Sequence, residues 1–120
     1  MTKEALQRRL KVFALRIIKL SEALSKNTAG KAIANQIVRS GTSPGANYRA
    51  ACIAKSTKDF LNKLKIVEEE LDETLYWLEL IVESDLMDPK LLEALKKENE
   101  ELLRIIVKSI ITIKNRLNSK

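Results

Sequence analysis

Histidine is absent from this 120-residue chain, and cysteine occurs once, at Cys52. A lone thiol makes no internal disulfide and suits a reducing compartment. Without an imidazole beside it, neither zinc ligation nor an activated thiolate has its usual partners. Glycine is nearly missing too, with three residues, and proline occurs twice. No stretch alternates β-branched with polar residues, so sheet folds are excluded and an all-α fold remains. Aromatic residues number five, only 4% of the chain. That is few for a surface that stacks nucleic-acid bases, and Trp77 stands among Leu and Glu rather than basic residues. Long apolar runs are lacking as well: the longest are interrupted at Glu79 or Lys108, short of a bilayer span. The opening MTKEALQRRLK has no apolar core of a secretory leader. The expectation is a soluble, cytoplasmic, single domain over residues 1–120, without membrane contact, metal or cofactor.

Charge is plentiful, and unevenly placed. Residues 1–65 hold 14 Lys and Arg against three acids, a net of +11. Residues 66–120 hold eight against 13, a net of −5. Two readings follow: a basic face for a polyanion, or complementary surfaces between helices and between subunits.

Four amphipathic segments account for most of the chain. The first runs from Lys3 to about Ser25 with Leu6, Leu10, Phe13, Ile17, Leu20 and Leu24 on one seam. Val12 and Ile18 lie off it and hint at a second contact surface. Thr28 is read as the N-cap of a second helix, with Ile33, Ile37 and Val38 inward. A third helix, from near Ser56 to about Ser84, is read with Phe60, Leu64, Val67, Leu71, Leu75, Leu78 and Val82 inward. Asp88-Pro89 opens the fourth as N-cap and first helical residue. Its inward stripe is Leu92, Leu95, Asn99, Leu102, Ile106, Ile110, Ile113 and Leu117. Short connections predict an antiparallel, up-down-up-down four-helix bundle.

The stretch RSGTSPGANYRAA, residues 39–51, interrupts helix two with Gly41, Pro44 and Gly45. Its flanks keep helical spacing, so a continuous helix kinked near Pro44 is expected rather than a loop. Ser40, Thr42 and Ser43 are expected to satisfy backbone groups freed there. Asn47 is expected inward. The kink either shapes a surface that displays Arg39, Tyr48 and Arg49 or, with Asn47, only fixes helix packing and register, and the second reading is preferred.

Candidate sites are few. Glu69, Asp72 and Glu73 share a helical face, but di-iron bundles pair Glu with His, so ion pairs with Arg39 or Arg49 are expected instead. Trp77 reads as packing between helices. Helix four carries more apolar residues than one core stripe takes: Leu103, Ile105, Val107 and Ile111 suggest burial against another subunit. Arg8, Arg9, Lys11, Arg16 and Lys19, with Arg49, form the candidate phosphate-facing set. Those cations equally suit a solvated face paired with the acidic second half.

The run QIVRSGTSPGANYRAACIAKSTKDFLNKLKIVEEELDETLYWLELI resembles the central signature of the 23S rRNA intervening-sequence protein family. The matching elements are Arg-Ser-x-x-Ser-x-x-Ala-Asn-Tyr-Arg-Ala (Arg39 to Ala50), Lys-Asp-Phe (Lys58 to Phe60) and Glu-Glu-x-x-Glu-Thr-x-x-Trp-Leu (Glu69 to Leu78). The resemblance implies an antiparallel four-helix bundle assembling into a ring-like homopentamer, and carries over no catalytic residue. The chain is also similar to the accessory variability protein of diversity-generating retroelements, which binds nucleic acid and a reverse transcriptase. The expected function is therefore non-enzymatic: low-specificity binding of RNA or DNA, or scaffolding of a nucleic-acid-processing partner such as a reverse transcriptase. The alternative is an assembly module that docks an acidic protein.

Overall fold

Each helix begins where a short polar side chain satisfies one of its free amides. Thr2 Oγ1 accepts from Ala5 N at 3.0 Å, Asn27 Oδ1 from Gly30 N at 2.8 Å, Ser56 Oγ from Asp59 N at 3.1 Å, and Asp88 Oδ1 from Lys90 N at 3.0 Å. The computed structural model describes residues 1–24 and 26–119. Its helices are α1 (Lys3–Ala23), α2 (Thr28–Cys52), α3 (Thr57–Glu83) and α4 (Pro89–Asn118). Ser25, read above as the end of the first helix, lies outside the described residues. The N-cap of α2 is Asn27, one residue before the expected Thr28, with an amide oxygen in the capping role instead of a hydroxyl. Between α3 and α4, Asp85 adopts φ 58°. It ends α3 with paired bonds from Asp85 N to the Val82 carbonyl and from Leu86 N to the Ile81 carbonyl, both 3.2 Å. No glycine announced that turn.

The four helices pack into a slender bundle of 53 × 22 × 20 Å. The α1 seam is buried as read, from Leu6 through Leu24. So is α4 from Leu92 to Ile113, while Leu117 is half-buried at the bundle's end. Helix α3 is rotated from the sequence reading: Leu61, Thr74 and Ile81 are buried, whereas Phe60, Leu75 and Val82 are half-buried. Two adjacent apolar stripes compete on that helix, and the polar Thr74 disguises the inner one. Its Oγ1 lies 2.8 Å from the Glu70 carbonyl and 2.9 Å from Ser40 Oγ of α2. One hydroxyl can donate to the carbonyl and the other to the first, so the buried pair is satisfied.

Helix α2 runs unbroken through Pro44. Thr42 Oγ1 donates to the Val38 carbonyl at 2.7 Å and Ser40 Oγ lies 3.5 Å from the Ile37 carbonyl, so neither hydroxyl reaches the Ser40 carbonyl that Pro44 leaves without its helical donor. The small residues here bring α1 and α2 together. A Cβ on Gly41 would lie 2.7 Å from Ile17 Cγ1 and Cγ2, whereas one on Gly45 would meet the Leu10 backbone at 3.6 Å. Residue numbers thus rise along α2 as they fall along α1.

Two expectations for this segment are corrected. Asn47 is half-buried rather than inward, and its Nδ2 donates within α2, to the Ser43 carbonyl at 3.1 Å and Ser43 Oγ at 2.9 Å. Tyr48, on display in the first of the two readings, is 5% exposed and belongs to the core, which leaves the packing reading for this residue. A phenol ring gains far more from burial than an amide does, so the helix turns its ring inward. Burial pushes the Tyr48 phenol well above its ordinary pKa, and the neighbouring Cys52 thiol adds to the shift.

Asn99 of α4 is fully buried. With its amide oriented by its surroundings, Nδ2 donates to the Leu71 carbonyl at 3.0 Å and Oδ1 accepts from Leu75 N at 3.2 Å. One side chain thereby holds α4 in register against α3. No helix among the described residues is long and apolar enough to cross a membrane.

Candidate nucleic-acid interface

Residues 8, 11, 12, 15, 18 and 19 recur at helical spacing, so they share one flank of α1, away from the Leu6–Leu24 seam. Arg8, Lys11 and Lys19 are exposed on it. So are three aliphatic side chains, Val12 (47% exposed), Leu15 (58%) and Ile18 (40%). Beside this flank, Gly45 and Ala46 of α2 supply little side-chain bulk. An open groove of about 610 Å³ results, lined from α1 by Arg8, Lys11, Val12 and Leu15 and from α2 by Thr42, Gly45, Ala46 and Arg49. The groove therefore gathers three cations from two helices, with Glu4 as the acid on its wall. None of the three cations makes an ion pair among the described residues.

The sequence-derived set divides here. Arg8, Lys11 and Arg49 come together, and Lys19 continues the same flank beyond the groove. Arg9 does not belong with them. Its guanidinium forks onto Glu98 of α4, Nε to Oε2 and Nη2 to Oε1 at 2.8 Å each, and reaches Glu101 at 2.8 Å. Those bonds, Glu98 first, raise the guanidinium pKa further and occupy the charge within the fold. Arg16 lies seven residues on, on the α4-facing side, and is half-buried.

Arg39 is likewise engaged. It pairs with Glu70 at 3.1 Å and more closely with Glu73. Glu73 also accepts the Trp77 indole N–H at 3.0 Å. That bond, then Arg39, holds the Glu73 carboxyl below its ordinary range. Of the acidic trio read on α3, Glu73 thus has a structural partner, while Glu69 and Asp72 face solvent. Trp77 packs edge-on against Tyr76, with ring centroids 5.1 Å apart.

The extra apolar residues of α4 are mostly absorbed within the chain. Leu103 and Ile105 are half-buried against the core and Val107 is half-buried, leaving Ile111 exposed at 53%. The larger uncovered aliphatic stripe is Val12–Leu15–Ile18 on α1. Leu15 was missed in the sequence, although its three-residue spacing from both Val12 and Ile18 was there to be read.

A family model described as 23S rRNA-intervening sequence protein matches residues 4–108. A crystal structure from Bacteroides thetaiotaomicron VPI-5482, of a protein with unknown function from the S23 ribosomal protein family, is 34% identical. It superposes with a TM-score of 0.85 over 92% of this chain and 98% of that one. No curated protein matches.

Proposed function

The chain belongs to the 23S rRNA-intervening sequence protein family, and from that membership we propose a non-enzymatic, oligomeric bundle that binds RNA or DNA with low sequence specificity. The observation that carries this reading is the convergence of Arg8, Lys11 and Arg49 in one groove while Arg9 and Arg39 are neutralised by acids of α3 and α4. Three cations per subunit bind a phosphate backbone weakly. Repeated around a ring they bind it strongly and with steep salt dependence. Among the described residues Gln7 is the one amide side chain lining the groove, too little to read base edges, so sequence preference is weak.

Anisotropy titrations of labelled RNA and duplex DNA, at a series of salt concentrations, test this. Binding should fall steeply with salt, with a slope reporting several phosphates per assembly. Charge reversal of Arg8, Lys11 and Arg49 together should remove most of it, because these exposed side chains leave the bundle intact. Undiminished binding by the folded triple variant would reject the groove. No binding by the wild type at low salt would favour the second reading, an acidic protein partner. That reading draws on the aliphatic Val12, Leu15 and Ile18 beside the cations, and it extends to scaffolding of a nucleic-acid-processing enzyme.

Assembly is tested separately. Sedimentation equilibrium should give a discrete oligomer, a pentamer on the family resemblance. Ile111→Glu should shift it toward smaller species without loss of helicity, since Ile111 is exposed in the single chain. A monomer at micromolar concentration would overturn the proposal.

A further inference from the structure

At one end of the bundle the start of α1, the α2–α3 connection, the first turn of α3 and the last turns of α4 border a second open recess of about 600 Å³. Its charged lining comes from three separate elements: Lys3, Lys55 and Arg116. No carboxylate of a described residue lines it, in contrast to the groove with its Glu4. None of the three cations makes an ion pair among the described residues. The floor is apolar, formed by Phe60, Ile113 and Leu117. Lys3 Nζ sits 5.0 Å from the Phe60 ring centroid, which holds one cation at the boundary between charged wall and apolar floor.

We propose that this recess binds a phosphomonoester attached to a body with one flat ring face, of the size of a nucleoside 5′-monophosphate. Three cations match a phosphomonoester dianion better than a single carboxylate, and the planar Arg116 fork suits two of its oxygens. The volume falls within the range of small-molecule sites, and the floor gives the nucleoside part somewhere to shed water. The same chemistry has two sources: a free mononucleotide, or the phosphorylated 5′ end of a strand. The site shares no cation with the groove and stands without it.

The test is an NMR titration of the ¹⁵N-labelled full chain with AMP, adenosine and inorganic phosphate. AMP should shift amides of residues 55–60 and 113–119 and bind at least about tenfold more tightly than adenosine or phosphate alone. Lys55→Glu with Arg116→Glu, both at exposed positions, should abolish these shifts. The milder pair Lys55→Gln with Arg116→Gln should weaken them if charge reversal disturbs folding. The groove variant should bind AMP as the wild type does, which separates failure of this site from failure of the groove. Anisotropy with 5′-phosphorylated and 5′-hydroxyl oligonucleotides then identifies the source. Preference for the phosphorylated strand assigns the strand end, and AMP binding with no such preference assigns the free mononucleotide. Absence of shifts at millimolar AMP, equal binding of adenosine, or equal binding of phosphate alone would overturn the proposal.

Discussion

Replacing Asn99 by Asp should destabilise the bundle by about 3–5 kcal/mol at pH 7, and acid should restore much of the loss. The two side chains have the same shape. The amide, however, donates to the Leu71 carbonyl and accepts from Leu75 N, whereas a carboxylate can only accept. An ionised Asp would therefore face the Leu71 carbonyl oxygen and bury a charge at a site with no solvent exposure. Domains of this size have a total stability of about 5–15 kcal/mol, so much of it would be consumed. Burial and the lost donor both disfavour the carboxylate, so the introduced group has a raised pKa in the folded state. Protonated, it regains a donor for Leu71. The deficit relative to wild type is therefore small below the unfolded pKa of about 4, grows as pH rises, and levels off above the folded pKa. Urea denaturation of both proteins at pH 4 and pH 7 measures it. Taking the difference between them removes the acid sensitivity shared through the depressed Glu73 carboxyl. An equal deficit at both pH values would show that the side chain does not bridge to α3.

The second large effect separates two glycines four residues apart. Gly41→Ala should cost about 2 kcal/mol, even though alanine is the better helix former by about 1 kcal/mol. Its Cβ would meet both γ-carbons of Ile17 at 2.7 Å. Ile17 is β-branched and fully buried, so it has little rotamer freedom with which to withdraw. Gly45→Ala meets only ordinary contact at 3.6 Å and should gain up to about 1 kcal/mol. Thermal melts of both variants should move in opposite directions. Trimming the obstacle gives a further check: Ile17→Ala combined with Gly41→Ala should cost clearly less than the sum of the single changes. Additive costs would mean that the close approach of α1 and α2 does not rest on Gly41.

Legibility in the sequence followed the sharpness of each pattern. Helices α1 and α4 each have one unbroken three-four rhythm, and their buried sets read off almost residue for residue even though further apolar residues lie off it. Asn99 could be placed inward because it interrupts such a rhythm without breaking it. Helix α3 was harder, since apolar residues fall on two adjacent stripes and the decisive inward residue is Thr74. Its hydroxyl is satisfied by partners that no local pattern shows. The basic stripe illustrates the same limit. Spacing placed Arg8 and Arg9 near each other along α1, but their roles differ because Glu98 lies 89 residues away in sequence and adjacent to Arg9 in space. The groove itself was not legible, as it depends on what α2 lacks beside α1. The small residues Gly45 and Ala46 signalled a close approach, not an open surface.

The Arg9 fork also has a place in the order in which the molecule comes together. Helices adjacent in sequence share long interfaces, whereas α1 and α4 meet along little of their length. Successive helical hairpins thus form from local contacts, the kind that lets helical bundles fold in microseconds to milliseconds. Joining Arg9 to Glu98 closes a loop of 89 residues, and that closure entropy is best met after the three hairpins have already drawn the ends together. A contact made that late is expected to contribute little to the folding transition state, so Arg9→Ala should speed unfolding and leave the folding rate nearly unchanged. Its energy therefore acts on the lifetime of the finished bundle rather than on the rate at which the bundle is reached.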